Sequence, residues 1–143
     1  MPGTSQSAEL PADPERVFDL LVQPPLYERW LSLHESWPES PPDRLDAGGE
    51  FSQVVSFAGM TLEVGWTVGR LEPATALELN GSATMGLTAD IRFGLRPAEA
   101  GTTLRLAARV RGRPVAGPAG ALAKRGAERA ITDSLAQLKG LLA

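Results

Sequence analysis

Apolar positions along this chain follow two different periods, and the change of period divides it. After Gly48-Gly49 they alternate one by one. Phe51, Val55 and Phe57 share a face with Gln53, and Leu62, Val64, Trp66 and Val68 stand against Glu63, Gly65 and Thr67. Leu77 and Leu79 flank Glu78; Leu87, Ala89, Ile91, Phe93 and Leu95 alternate with Thr88, Asp90, Arg92 and Arg96. Leu104, Leu106, Ala108 and Val110 alternate with Arg105, Arg109 and Arg111. A period of two with one apolar face predicts five successive strands in an antiparallel meander, wet on one side only. The joints, Ala58-Gly59, Glu72-Pro73, Asn80-Gly81 and Pro97 to Gly101, are built from turn-forming residues.

From Gly117 to Leu142 the period becomes helical. Ile131, Leu135, Leu138 and Leu142 are spaced 4-3-4 and fall on one face, while Lys124/Glu128 and Arg129/Asp133 place opposite charges four residues apart on another. Pro118 suits the first turn, where its missing N–H has no partner to lose. A helix of this length, roughly 36 Å, needs a large surface to lie on, and the sheet supplies it. Its two halves differ. The back half presents Ile and Leu, the front half Gly120, Ala123, Gly126, Ala127 and Ala130. A glycine inside a helix costs about 1 kcal/mol relative to alanine. The front half therefore either lies very close to something or leaves a space.

Ahead of the meander, Thr4 to Leu10 alternates weakly and predicts a first strand. Asp13-Pro14-Glu15 starts a helix, with Asp as the N-cap, Pro in the first turn and Glu near the positive helix end. Val17, Phe18, Leu20 and Leu21 form its apolar side, and Pro24-Pro25 stops it. A second short helix carries Leu26, Tyr27, Trp30 and Leu31, and a proline-rich acidic loop runs from Leu33 to Ala47. The order is strand, two short helices, five strands, long helix. The economical arrangement is an α+β domain spanning residues 1–143, with a curved antiparallel sheet of six or seven strands wrapped around the C-terminal helix.

Composition narrows the chemistry. The chain has 143 residues, 17 acidic against 14 basic, for a net charge of −3. That argues against nucleic acid as the main partner. With no cysteine, disulfides, thiolate zinc sites and cysteine nucleophiles drop out. The polar stretch Met1 to Ser7 and the lack of an apolar run of spanning length predict a cytoplasmic protein without a membrane span.

In this order the chain resembles the SRPBCC superfamily, the START and Bet v 1-like helix-grip proteins. The matching stretches are Ala12-Asp13-Pro14-Glu15-Arg16-Val17-Phe18-Asp19-Leu20-Leu21, Tyr27 and Trp30, Gly49 ahead of a strand, Gly101-Thr102-Thr103-Leu104, and the closing helix with Leu135 and Leu138. Many relatives are described as polyketide cyclase/dehydrase and lipid transport proteins. Tyr27 to Trp37, Gly59-Met60, Trp66-Thr67-Val68, Leu79-Asn80-Gly81 and Gly117-Pro118-Ala119-Gly120 are similar to an actinobacterial branch described as the toxin of a type II toxin–antitoxin pair. The resemblance implies a helix-grip fold whose core is either filled or a cavity.

Each candidate side chain has a structural and a functional reading. His34 lacks the companions of a triad or a metal site, so it reads as a packing residue or a polar contact at a pocket mouth. Trp30 and Trp66 read as core, or as cavity walls carrying an N–H donor. Trp37 stands in the polar loop and either caps a pocket or packs beneath the loop. Gln53 is the one polar residue on an apolar strand face, and a buried amide needs a partner. The remaining wall candidates are Phe51, Val55 and Phe57, then Val64 and Leu79, then Phe93 and Leu106, and on the helix Ala123, Gly126 and Ala127. Arg92, Arg96, Arg105, Arg109 and Arg111 read as a solvated outer face, and the Gly117-Pro118-Ala119-Gly120 helix start as a weak anion site lacking a phosphate-loop lysine.

The leading expectation is binding of a small, mostly apolar molecule, lipid- or polyketide-like, between sheet and helix, with no catalytic residue, metal or cofactor. A cyclase or dehydratase enzyme would need a positioned acid–base pair within the site. An interaction protein such as a toxin would have a filled core and an antitoxin or homodimer partner.

Overall fold

The computed structural model describes residues 3–57, 59–112 and 118–143, leaving aside the side chains of Phe57, Pro118 and Ala119. The elements run β1 (Gly3–Leu10), α1 (Pro14–Leu21), a 3₁₀ turn (Pro24–Leu26), α2 (Tyr27–Trp30), β2 (His34–Ser36), β3 (Glu50–Phe57), β4 (Met60–Glu72), β5 (Ala76–Ala83), a 3₁₀ turn (Thr84–Gly86), β6 (Thr88–Ala98), β7 (Gly101–Arg111) and α3 (Pro118–Leu142). The strands form one antiparallel sheet in the order β1-β7-β6-β5-β4-β3-β2. Only β1 leaves sequence order, crossing to pair with β7 and so putting the N-terminal strand on one edge.

Local chemistry explains the elements. Asp13 caps α1 by accepting from the Arg16 N–H at 2.9 Å, and Val17, Phe18 and Leu21 are its buried side. Gly101 brings its backbone so close to Leu10 that an added Cβ would sit 2.2 Å from the Leu10 carbonyl oxygen. The neighbouring Thr102 hydroxyl, fully buried, donates to the Ala12 carbonyl at 2.7 Å. The Gly101-Thr102 pair thus ties the start of β7 to the chain leaving β1.

Helix α3 is fastened to both edges of the sheet. On the β1 side, the Gln6 amide donates to the Glu128 carbonyl at 2.9 Å and accepts from the Thr132 hydroxyl at 2.8 Å. On the β2 side, the buried Ser134 hydroxyl accepts from the Ser32 N–H at 2.8 Å. Ile131, Leu135, Leu138 and Leu142 are buried beneath these ties, in one core with Leu77, Phe93, Leu95 and Leu104. The described fastenings all fall between Glu128 and Ser134. The small-residue front half projects beyond them.

Two expectations change. The stretch His34–Ser36 is a strand, not loop, because its edge finds backbone partners on β3: His34 sits opposite Val55, and the Ser56 N–H donates to the Leu33 carbonyl at 2.8 Å. Asn80-Gly81 is not a turn but lies within β5, opposite Thr67 and Trp66. The turn comes later, at Thr84–Gly86, with Met85 in a left-handed conformation. Gly81 serves packing instead, since a Cβ there would lie 2.7 Å from two indole carbons of Trp66 and from Val64 Cγ1. Gly81→Ala is expected to destabilise by roughly 1–3 kcal/mol, read as a lower denaturant midpoint with unchanged slope. An unchanged midpoint would mean that Trp66 is not held against this glycine.

Candidate functional site

Beneath the front half of α3 the core opens. Leu33, Val55, Leu62, Val64, Trp66, Ala83, Leu87, Thr88, Ala89, Asp90, Ile91, Ala108, Arg109, Val110 and Ala127 line a cavity of about 50 Å³, or about 570 Å³ of atom-free space with the open solvent at its mouth included. Its accessible wall is entirely apolar. A single water needs roughly 10–15 Å³ by the smaller measure, and two to four polar partners. The space exceeds that several-fold, and although Thr88, Asp90 and Arg109 border it, the surface exposed to it is apolar.

The cause lies in side-chain size. Inward positions near this end of β5, β6 and β7 carry Ala83, Ala89 and Ala108, and they face Ala127 of the helix. At the other end the inward positions carry Leu77, Phe93, Leu95 and Leu104, and the core is closed.

Behind the Trp66 wall runs a polar relay. Trp66 Nε1–H donates to Gln53 Oε1 at 2.9 Å, and Gln53 Nε2 lies 2.8 Å from His34 Nδ1. Gln53 is only 1% exposed, so both its hydrogen bonds are made inside the protein. An indole N–H can only donate, which turns the amide oxygen toward Trp66 and the amide N–H toward His34. His34 Nδ1 must then accept, placing the imidazole proton on Nε2. Burial holds the half-buried His34 below the ordinary histidine range, while the Glu28 and Glu35 carboxylates pull more weakly the other way.

An aromatic cluster covers the relay. Trp37 lies 4.6 Å from the His34 ring and 6.1 Å from Phe51, while Trp30 packs edge-on to Tyr27 and to Phe93. The Tyr27 hydroxyl donates to the Leu21 carbonyl at 2.6 Å, and burial pushes its ionisation upward. Trp30 Nε1 is fully buried with no hydrogen-bond partner among the described residues.

Of the residues singled out in the sequence, Val55, Val64, Trp66 and Ala127 line the cavity. Gln53 and His34 form the relay behind it rather than a polar patch on its wall, and Trp37 and Phe51 pack over that relay. Trp30, Leu79, Phe93, Leu106 and Ala123 are buried core. Gly126 turns to an outer groove with Ser32, Ser56, Leu122, Arg125 and Arg129. The Phe57 side chain and the Gly117 end of the helix start lie outside the described residues.

The outer arginines are exposed: Arg92 lies 3.6 Å from Glu78, Arg111 pairs with Asp90 at 2.8 Å, and Arg105 reaches the Ser5 hydroxyl at 3.3 Å. Among the described residues, no group of three or more His, Cys, Asp or Glu is placed to hold a metal ion, and no helix is long and apolar enough to cross a membrane.

A curled seven-stranded antiparallel sheet gripping a long C-terminal helix, with short helices after the first strand, is the START-like helix-grip fold. The chain belongs to the polyketide cyclase / dehydrase and lipid transport family, whose profile matches residues 1–143. It is 29% identical over 141 residues to the Mycobacterium tuberculosis protein Rv1546, covering 99% of each chain. It is 26% identical over 131 residues to Toxin Rv0910 of the same organism, covering 92% of this chain and 91% of that one. Among solved structures, protein CV1439 from Chromobacterium violaceum superposes with a TM-score of 0.77 at 19% identity, over 99% of this chain and 96% of that one. A START superfamily protein from Mycobacterium smegmatis gives 0.73 at 18%, over 98% and 96%.

Proposed function

We propose that the protein binds a small, predominantly apolar molecule in the cavity between the sheet and the front half of α3. The observation that carries this reading is the agreement of two independent features. The helix is small-sided where its described fastenings end, and the strands facing it there turn to alanine. An open core costs stability in proportion to the contacts its lining forgoes, so retaining one needs a reason, and a guest supplies it. At about 50 Å³ the space is smaller than the ~150 Å³ apolar cavity that takes up benzene, so a guest extends into the open mouth, and a compact ring or short branched chain suits it better than a long acyl tail. The fully buried polar side chains among the described residues are Gln53, Thr102 and Ser134, all held by internal hydrogen bonds. They position the scaffold rather than attack a guest.

The experiment is extraction of natively purified protein followed by mass spectrometry of the small molecules released on denaturation. The expected result is one neutral, weakly polar compound at close to one per chain. Only highly polar or charged compounds at that stoichiometry would defeat the reading.

One observation favours a second reading, that of a partner-binding protein. The outer groove beside Gly126 presents Leu122, 62% exposed, one and two helical turns ahead of Arg125 and Arg129, and the relative Rv0910 is named a toxin.

A further inference from the structure

We infer that the His34–Gln53–Trp66 relay is a proton-sensitive latch on the cavity: neutral His34 holds the Trp66 wall in place, and protonation of His34 releases it. Donors and acceptors match along the relay only while His34 is neutral. Gln53 has one acceptor oxygen, and it is committed to the Trp66 N–H. Its NH2 group then needs an acceptor, which among the described residues an unprotonated Nδ1 of His34 provides. A protonated imidazole donates from both nitrogens, and the Gln53 oxygen, though it has two lone pairs, is turned toward Trp66 while the NH2 group faces His34, so it cannot meet both donors in this geometry. Either the His34–Gln53 or the Gln53–Trp66 bond must then break. Because Gln53 is buried, water does not cheaply replace it.

Both ends of the relay reach the cavity. Trp66 is wall. His34 follows Leu33 and sits opposite Val55, and those two residues are wall as well. A change of proton at His34 is thus transmitted to three lining residues from two strands and a turn. The charged groups acting on His34 are Glu35 on its own strand and Glu28 on α2; both favour the imidazolium, and burial outweighs them. The β3 neighbours, Gln53 and Val55, are uncharged. Linkage follows the same direction. With the folded value lowered, the unfolded chain takes up its proton first, near pH 6.5. The stability the relay contributes is complete above that pH and is lost as pH falls from there toward the folded value.

The effect on ligand rests on the cavity being the binding site, so the test separates the two. Ligand-free protein is followed by NMR from pH 8 to pH 4.5, reading the His34 ring nitrogens and the Trp66 indole N–H. The expected result is a proton on Nε2 alone at high pH, and a Trp66 resonance that moves with His34 at one midpoint below about 6.5. Gln53→Glu places two acceptor oxygens between the two donors. It is expected to raise the His34 midpoint and leave Trp66 unmoved through the titration. Toluene, which does not titrate, serves as the guest, and its affinity for the wild type is expected to fall about tenfold across the His34 midpoint. A Trp66 resonance indifferent to His34, a proton on Nδ1 at pH 8, or a flat toluene affinity despite a moving Trp66 would each overturn the latch. No toluene binding at any pH, with Trp66 still following His34, would sink the ligand reading and uphold the latch.

Discussion

Deleting residues 131–143 is expected to abolish the native fold. The deletion removes Ile131, Leu135, Leu138 and Leu142, each at most 6% exposed. At roughly 1.5–3 kcal/mol apiece, their burial approaches the whole stability of an ordinary domain. It also removes Thr132 and Ser134, the hydroxyls that bind α3 to Gln6 on one edge and to Ser32 near the other. The Ser32 N–H loses its acceptor, and the inner sheet face opens to water. The expected product lacks a cooperative melting transition and aggregates through its exposed strands. A soluble truncated chain with the melting point of the full protein would contradict the helix-grip packing described above.

Ala127→Leu has the largest expected effect on binding. Ala127 is the helix residue on the cavity wall, facing Val55, Val64 and Trp66. A leucine there projects into space instead of into packed atoms. Stability is expected to hold or rise, because new contacts form where none existed. Binding of an apolar guest is expected to fall below detection, because the guest's volume is occupied. In a closed core the same change overpacks and costs roughly 1–3 kcal/mol. The two cases have opposite signs in a melting experiment, so a strongly destabilised Ala127→Leu protein would mean there is no usable space beneath the helix.

The helix, the meander and their packing were legible because each rests on a period that few other structures satisfy. Ile131 to Leu142 and Leu62 to Val68 each admit one face. The two short helices were legible through Asp13-Pro14 and Pro24-Pro25, which punctuate the backbone directly. Asn80-Gly81 misled because the pair that favours a tight turn also supplies a strand with a place lacking a side chain, and only the register opposite Trp66 shows which use applies. The strand at His34–Ser36 was hidden because its pairing with β3 bridges a proline-rich loop and a bulge.

The candidate site was half visible for the same reason. Gln53 announced a need for partners, as any amide on an apolar face does, but which partners depended on pairings across 13 and 19 residues. The helix's small residues pointed to the space. Ala83, Ala89 and Ala108 carried the matching signal on the strands, and small inward residues at one end of successive strands are the pattern that would have found the rest of the wall.

Methyl-resolved NMR titration with toluene tests most directly whether the apolar cavity accepts a guest. The expected result is saturable shifts concentrated on Val55, Leu62, Val64, Ile91 and Ala127, with Leu77, Leu95 and Leu104 in the closed part of the core unmoved. Saturable shifts on the outer groove at Leu122 and Ala130, with the cavity methyls silent, would contradict it.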